Sequence, residues 1–249
     1  MEQSELIKRI SDLALRCDRN SCITNSAFLT PAECYLLEMR KASIGETKLY
    51  LTGGREECER KVAFFLPYYF DETDFELGDY IKAVKIKSYY GKPGHRDYLG
   101  AILGLGIERD RIGDLLLFDD TAYVFCLSSV VSVLLQELEK VGRVSVKTEQ
   151  ISLSDVPAPE KRVKKITFTV KSLRLDAVTG DLFGVSRTTA AELIRLGAVT
   201  LNYSICEKTD APIKEGDTLS VHGKGKGRIT QIGGRSRKDR LFVEAEIYL

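Results

Sequence analysis

The sequence predicts a mixed α+β protein built from three units, and three observations support this prediction. Residues 80–151 alternate strand and helix patterns in a regular order. Residues 154–165 (SDVPAPEKRVKK) concentrate proline and charge between two apolar regions, as a domain boundary does. Two short helical patterns and several strand patterns follow. We therefore expect an N-terminal α/β domain (1–77), a middle domain (78–153), a linker and strand (154–171) and a C-terminal domain (172–249).

The composition fits a water-soluble globular protein. The 249 residues are 43% hydrophobic, with 37 Lys+Arg against 36 Asp+Glu, which excludes collagen-like and disordered chains. The longest uncharged apolar stretch, residues 121–135, is shorter than the ~20 residues of a membrane span. The first residues carry charges where a signal peptide needs an apolar core. We expect a cytoplasmic protein.

The N-terminal unit begins with two predicted helices. Leu6, Ile10 and Leu13 form one helical stripe, and Thr30 followed by Pro31 starts a second helix that should run to about residue 41. The segment KLYLT then alternates like a strand, and EECERKVAFF is predicted as a helix. An acidic, turn-rich segment, FDETDFELGD, ends this unit near residue 77.

The middle unit has the predicted order βαββαβ. Its segments are YIKAVKIKSY, HRDYLGAILGLG, GDLLLF, TAYVFCL, SSVVSVLLQELEKVG and RVSVKTEQI. This order is that of a ferredoxin-like fold, which many RNA-binding domains share. Those domains bind RNA through aromatic residues on the open sheet face, whereas TAYVFCL lacks their motif. Tyr123 and Phe125 do share one face, and we favour a core or domain-docking role for them over base stacking.

Motifs that would indicate catalysis or cofactor binding are incomplete. His95-Arg96-Asp97 resembles a kinase catalytic loop, but Ile102 stands where such a loop needs asparagine for magnesium. A structural role, with His95 or Asp97 capping a helix, is favoured. The six cysteines form no C-x-x-C pair, and the chain has only two histidines, so we expect no metal, disulfide or cofactor.

Positive charge is concentrated in the C-terminal third. Residues 1–159 carry 20 basic and 25 acidic side chains, whereas residues 160–249 carry 17 basic and 11 acidic ones. The segment 222–240 holds seven basic residues against Asp239 alone, interleaved with glycines that let the backbone approach phosphate. A solvated basic surface is the alternative. We favour binding to nucleic acid, and the acidic balance of the first two units argues against a second strong RNA site there.

The C-terminal segment also has a specific pattern of helices and turns. A helix begins near Leu173, Ser186 caps a second helix, Gly197 ends it, and strands follow at Val199 and Leu219. The motifs Arg174-Leu175-Asp176, Ser186-Arg187-Thr188, 190–197, 199–202 and Gly216-Asp217 resemble an S4 RNA-binding domain. The resemblance implies binding of structured RNA over the second helix.

The residues that this resemblance implies for RNA binding are basic or lie at a helix start. They are Arg174, Arg187, Thr188, Arg195 and Lys208, with Lys224, Lys226 and Arg228 as a flanking clamp on the RNA backbone. Ser186 is added because it forms a phosphate-binding helix start together with Arg187 and Thr188. The helix N-terminus gives independent support, because its N–H groups and partial positive charge attract phosphate. The alternative makes Arg187 a surface charge and Arg174 an ion-pair partner of Asp176 or Asp181.

Over most of residues 60–249, including HRDYLGAILGLGIERDRIGDLLL, the chain resembles the YlmH family. That resemblance implies a non-catalytic factor of the large ribosomal subunit that binds rRNA and peptidyl-tRNA and assists rescue of stalled nascent chains. The alternative is an RNA-modifying or RNA-processing enzyme whose S4 domain is only a targeting module. Against it, only about 20 residues follow the S4 pattern, which is too few for a pseudouridine synthase module.

Overall fold

The computed structural model describes residues 3–40, 47–70, 75–159 and 163–248. The protein is a mixed α/β structure with three antiparallel sheets among these residues. It divides into two compact units, Met1–Pro159 and Glu160–Leu249, so the division falls inside the proline-rich segment of the sequence. The N-terminal and middle segments together form the first unit. No helix in the described ranges is long and apolar enough to span a membrane.

The first unit contains four α-helices and eight strands among its described residues. In chain order these are α1 (Gln3–Asn20), β1 (Thr24–Leu29), α2 (Pro31–Met39), β2 (Lys48–Thr52), β3 (Lys61–Leu66), β4 (Ile81–Ser88), α3 (His95–Gly104), β5 (Ile112–Phe118), β6 (Thr121–Leu127), α4 (Val131–Glu137), β7 (Lys140–Val141) and β8 (Val144–Ile151).

Both N-terminal helices form as predicted. α1 buries Leu6, Ile10 and other members of its stripe, and α2 has a capping box in which Thr30 and Glu33 satisfy each other's backbone N–H groups. The predicted end of α2 at residue 41 lies outside the described residues. The sequence reading missed β1, which pairs with β3.

The prediction of a helix for EECERKVAFF is wrong, because the apolar half of this segment forms β3. This strand lies at the centre of a three-stranded sheet, order β1-β3-β2. Ala63 and Phe65 pack against the helices, whereas Val62, Phe64 and Leu66 pack on the opposite side. A central strand covered on both faces is a continuous apolar run, and periodicity alone does not separate such a run from a buried helix.

The second sheet of this unit has the order β5-β6-β4-β8-β7, and all its pairs are antiparallel. Its elements follow the chain order that the sequence predicted. Helices α3 and α4 cover one face, where Tyr98, Ile102 and Leu134 pack on the strands. Asp97 caps α3 as expected, since its carboxylate accepts a hydrogen bond from the backbone N–H of Gly94 at 2.8 Å. α4 is shorter than predicted, because the segment EKVG forms a hairpin instead.

The other face of this sheet is half covered by the N-terminal sheet. Phe125 is fully buried there in a cluster with Phe28 and Phe64. Phe125 therefore has the core and docking role that the sequence favoured, while Tyr123 lies at the border of the cluster and is half-buried.

The second unit contains two helices and six strands among its described residues. They are β9 (Val163–Val170), α5 (Leu175–Phe183), α6 (Arg187–Arg195), β10 (Val199–Leu201), β11 (Ser204–Ile205), β12 (Thr218–Val221), β13 (Gly225–Arg235) and β14 (Leu241–Tyr248). The strands form one antiparallel sheet with the order β11-β10-β12-β13-β14-β9. Val178, Leu182 and Ile194 of the helices pack on one face of this sheet.

The sequence underestimated this sheet. The basic, glycine-rich segment 222–240, for which the sequence predicted no strand, forms β13 over most of its length, and β14 follows it to complete a long hairpin. β9, predicted as a strand between the linker and the C-terminal domain, belongs to this sheet and pairs with β14 along its whole length. Gly227 fits this arrangement, because an added Cβ would lie 3.2 Å from the side chain of Leu182 on α5. Gly227 thus allows close packing of the sheet against α5.

Candidate nucleic-acid interface

Two of the predicted RNA-binding arginines meet at one buried carboxylate. Arg174 precedes α5 and donates from Nε and Nη2 to the two oxygens of Asp176, at 3.2 and 3.1 Å. Arg187, the first residue of α6, donates from Nη2 to the same two oxygens, at 3.2 and 3.0 Å. Asp176 thereby ties the starts of both helices together.

The charges of this cluster are unequally exposed. The side chain of Asp176 is 7% exposed, whereas those of Arg174 and Arg187 are 39% and 57% exposed. Burial raises the pKa of Asp176, but the hydrogen bonds and charges of the two arginines outweigh it and hold the pKa below its usual value of 3.8. The carboxylate therefore stays ionised at neutral pH and fixes two guanidinium groups whose outer edges face solvent.

Lys208 lies in the loop that adjoins this cluster. In this loop the carbonyl of Thr209 accepts from the N–H of Asp176, and the carbonyl of Ala211 accepts from the N–H of Leu175, both at 2.9 Å. The loop thus occupies the N-terminus of α5. Lys208 is exposed and directly precedes Thr209, so its backbone lies beside the start of α5.

The start of α6 is formed as the sequence predicted. The hydroxyl of Ser186 accepts from the N–H of Thr189 at 3.0 Å and so acts as the N-cap. Thr188 and Arg195 are exposed and seven residues apart, which places them on one face of the helix. Ala190 and Ile194 occupy the buried face. α6 therefore presents Arg187, Thr188 and Arg195 to solvent.

A groove beside Arg187 adds basic residues that the sequence reading left out of the site. Its volume is about 230 Å³, and Lys171, Asp181, Arg187 and Arg240 are among the lining residues. Arg240 is held by Thr169, whose hydroxyl accepts from Nε at 2.9 Å and whose carbonyl accepts from Nη2. Arg240 was visible as part of the basic segment 222–240, but only the fold carries it to this groove.

The predicted flanking clamp lies elsewhere. Lys224 is in the turn between β12 and β13, and Lys226 and Arg228 are on β13. They alternate with Gly227 and Ile229, which face the helices, so Lys226 and Arg228 lie on the opposite face of the sheet from Arg187. The Nζ of Lys226 lies over the rings of two tyrosines, 4.9 Å from Tyr203 and 5.3 Å from Tyr248. The structure therefore separates these basic residues from the cluster at Asp176.

Among the groups of the first unit whose pKa burial raises are one acid and two cysteines. Asp114 lines a charged cleft with His95, Arg60 and Arg109. Burial raises the pKa of Asp114, whose oxygens accept backbone N–H groups of Glu59 and Arg60 at 2.6 and 3.0 Å. Burial likewise raises the pKa of both Cys58 and Cys126 to about 12, so these thiols are protonated at neutral pH.

All six cysteines are free in the described chain. Among the described residues, no group of three or more His, Cys, Asp or Glu side chains is placed to hold a metal ion.

Comparison with known proteins decides the family. The "Ribosome-associated protein quality control protein P2" of Bacillus subtilis (strain 168) is 32% identical over 223 residues, which are 88% of this chain and 85% of that protein. The chain belongs to the YlmH family. A family model described as "Putative RNA-binding domain in YlmH" matches residues 71–155.

Among solved structures, the "Cell division protein ylmH from Streptococcus pneumoniae" matches with a TM-score of 0.55 and 20% identity, covering 64% of this chain and 96% of that one. At this identity the match shows a shared fold. The YlmH family model, by contrast, places its RNA-binding description on the middle segment, where the acidic balance of the sequence had argued against a strong RNA site.

Proposed function

We propose that this YlmH-family protein binds rRNA of the large ribosomal subunit and peptidyl-tRNA in the cytoplasm and assists rescue of stalled ribosomes. The observation that carries the proposal is the arginine cluster at Asp176, which presents two fixed guanidinium groups at the starts of two helices. Arginine binds phosphate in a bidentate manner, and the start of α6 adds N–H groups and partial positive charge. The name of the Bacillus subtilis relative supports the ribosomal setting.

In this proposal the second unit is an S4 RNA-binding domain. Its exposed surface at α5 and α6 comprises Arg174, Ser186, Arg187, Thr188, Arg195 and Lys208, extended by Lys171 and Arg240 along the groove. Lys226 and Arg228 would contact a different part of the RNA, because they lie on the other face of the sheet, and Lys224 precedes them in the turn before β13. The middle segment is assigned as ferredoxin-like, since β4, β5, β6 and β8 are arranged in the order β5-β6-β4-β8.

We further propose that the protein acts by binding, without catalysis. The candidate acid with a raised pKa, Asp114, already accepts two backbone hydrogen bonds, and the two most strongly perturbed thiols are protonated. Both kinds of group have structural roles here. An RNA-modifying enzyme remains the alternative, and it would show turnover of an RNA substrate.

The proposal is tested by sedimentation of cell lysate through sucrose gradients at low and moderate salt. We expect the wild-type protein to sediment with large subunits and to be released as salt rises, because binding through contacts to RNA phosphates weakens steeply with salt. The Arg174→Ala, Arg187→Ala double variant should stay at the top of the gradient. Circular dichroism must first show that this variant is folded, since it leaves Asp176 buried without its partners.

A second variant avoids that risk. Arg195→Ala, Lys208→Ala removes two exposed charges that belong to none of the ion pairs found in the described residues. The matched control, Lys8→Ala, Arg9→Ala, removes the same charge from exposed positions of α1. If the wild type stays at the top at every salt, the ribosomal proposal is wrong. If the control is lost from the large subunit as fully as the variant, binding depends on total charge and not on this surface.

A further inference from the structure

The middle segment offers a second RNA surface, on the part of its sheet that the N-terminal sheet leaves open. In this part of the sheet, Tyr123 of β6 lies opposite Lys85 of β4. Two residues further along β4, Lys87 lies opposite Lys147 of β8. Phe118 of β5 completes the surface, with its ring centroid 5.6 Å from that of Tyr123 in an edge-to-face contact. Opposite residues of antiparallel strands share a face, so all five side chains lie on one side of the sheet.

The rest of this sheet is already covered. Helices α3 and α4 pack on one face, and the N-terminal sheet packs over Phe125, Ala83 and Ile151 on the other. The open part of this face differs from the covered part in its side chains. The covered part is apolar, whereas the open part carries lysines and half-buried aromatic rings. Lys87 and Lys147 are exposed, and Lys85, Phe118 and Tyr123 are half-buried.

Residues 71–155 as a whole carry fifteen acidic and ten basic side chains, so net charge does not explain RNA binding by this segment. The placement of the charges matters more. Of the acidic residues near the open rows, Glu149 lies opposite Lys85, and Asp119 and Asp120 form the turn after Phe118. Asp119 is paired with Lys92 at 3.2 Å.

In the described chain, Lys85, Lys87 and Lys147 take part in no ion pair within 4.0 Å.

We infer that unpaired RNA bases stack on Tyr123 and Phe118, while Lys85, Lys87 and Lys147 contact the adjoining phosphates. Aromatic rings on a sheet with flanking lysines suit single-stranded RNA, because every base has a face that can stack and the lysines follow the backbone. Double-stranded RNA would not expose its bases to these rings. The inference deepens the proposed RNA-binding function by adding a site in the segment that the family model matches.

The stacking step is tested in the full-length protein by fluorescence anisotropy with a labelled oligouridine of about 12 nucleotides. Tyr123→Leu keeps an apolar side chain at the border of the core but removes the aromatic ring. We expect it to weaken binding by about 5- to 150-fold, the range that loss of one stacked base produces. Tyr123→Phe keeps the ring and should bind like the wild type. Equal binding by the Leu and Phe variants, with both folded, would overturn the stacking assignment.

The lysines are tested by the salt dependence of the same binding. Lys85→Gln, Lys87→Gln should lower the slope of log affinity against log salt by about 1.4, which corresponds to two phosphate contacts on a single strand. The matched control is Lys8→Gln, Lys82→Gln; Lys8 is on α1, and Lys82 is on the helix-covered face of β4. The slope of the control should equal that of the wild type. A control slope lowered as much as that of the test variant would overturn the site.

Photocrosslinking with a thiouridine-containing oligomer separates this inference from the proposed function. We expect crosslinked peptides from β5 and β6. Crosslinks confined to the second unit would overturn the inference while leaving the proposed function standing. Sedimentation of the wild type and of Tyr123→Leu through sucrose gradients tests the proposed function separately. If neither protein sediments with ribosomes, the result counts against the proposed function alone and leaves this inference standing.

Discussion

Replacing Asp176 with alanine should destabilise the second unit by about 2 kcal/mol. The side chain is 7% exposed and accepts four hydrogen bonds from two arginines. A hydrogen bond to a charged group contributes about 1.5–3 kcal/mol when it is well buried. Arg174 and Arg187 are 39% and 57% exposed, so solvent screening and their rehydration reduce the sum well below four such contributions.

The loss is measured by urea denaturation, followed by circular dichroism because the chain has no tryptophan. Hydrogen exchange in peptides from α5 and α6 assigns the change to the second unit. Asp181→Ala is the matched control; the Asp181 side chain is 45% exposed and 4.0 Å from Arg240, and its loss should cost under about 0.5 kcal/mol. If the Asp176→Ala protein is as stable as this control, the cluster does not stabilise the fold.

The same carboxylate gives a pH signature. Because the pKa of Asp176 is lower in the folded protein than its usual 3.8, its ionisation stabilises the fold above that value, and this stabilisation is lost as pH falls through the folded pKa. The stability difference between the wild type and Asp176→Asn should therefore be constant from pH 7 to about 5 and shrink in the acid range below the usual carboxyl pKa. A difference that persists unchanged in strong acid would refute the reasoning.

Three further outcomes are expected. Phe125→Ala should cost about 3–5 kcal/mol in thermal denaturation, because the ring is fully buried between two sheets; a loss under about 1 kcal/mol would mean that the sheets are not packed through it. Gly113→Ala should cost about 1–3 kcal/mol by urea denaturation, since the new Cβ would lie 2.5 Å from the ring of Phe28, and an unchanged midpoint would contradict that close approach. Ser186→Ala should cost about 1 kcal/mol through loss of the α6 cap, as measured by hydrogen exchange in α6. Thr188→Ala in the same helical turn serves as its control and should leave exchange unchanged.

Local patterns in the sequence predicted the elements whose stability is local. Ser186 was recognised as a helix cap, and the βαββαβ order of the middle segment was read from alternation and turns. These signals lie within a few residues of the elements they specify, so no knowledge of the fold is needed to read them. Arg174 and Arg187 stand out in the sequence because their spacing resembles that of a known family, and their role in RNA binding stays a prediction. The pairing of Arg174 with Asp176 is the alternative that the sequence left open.

Tertiary structure decided what depends on partners distant in the chain. The segment of β3 is predicted as a helix because a continuous apolar run does not reveal that helices cover one face of the strand and a second sheet covers the other. The glycine-rich segment became β13 only by pairing with β12 and β14. The same pairing placed Lys226 away from Arg187, although both had been assigned to one site. The sequence by itself therefore determined the local elements and their order along the chain. Long-range strand pairing, which no local pattern encodes, decided which charges lie together on one surface.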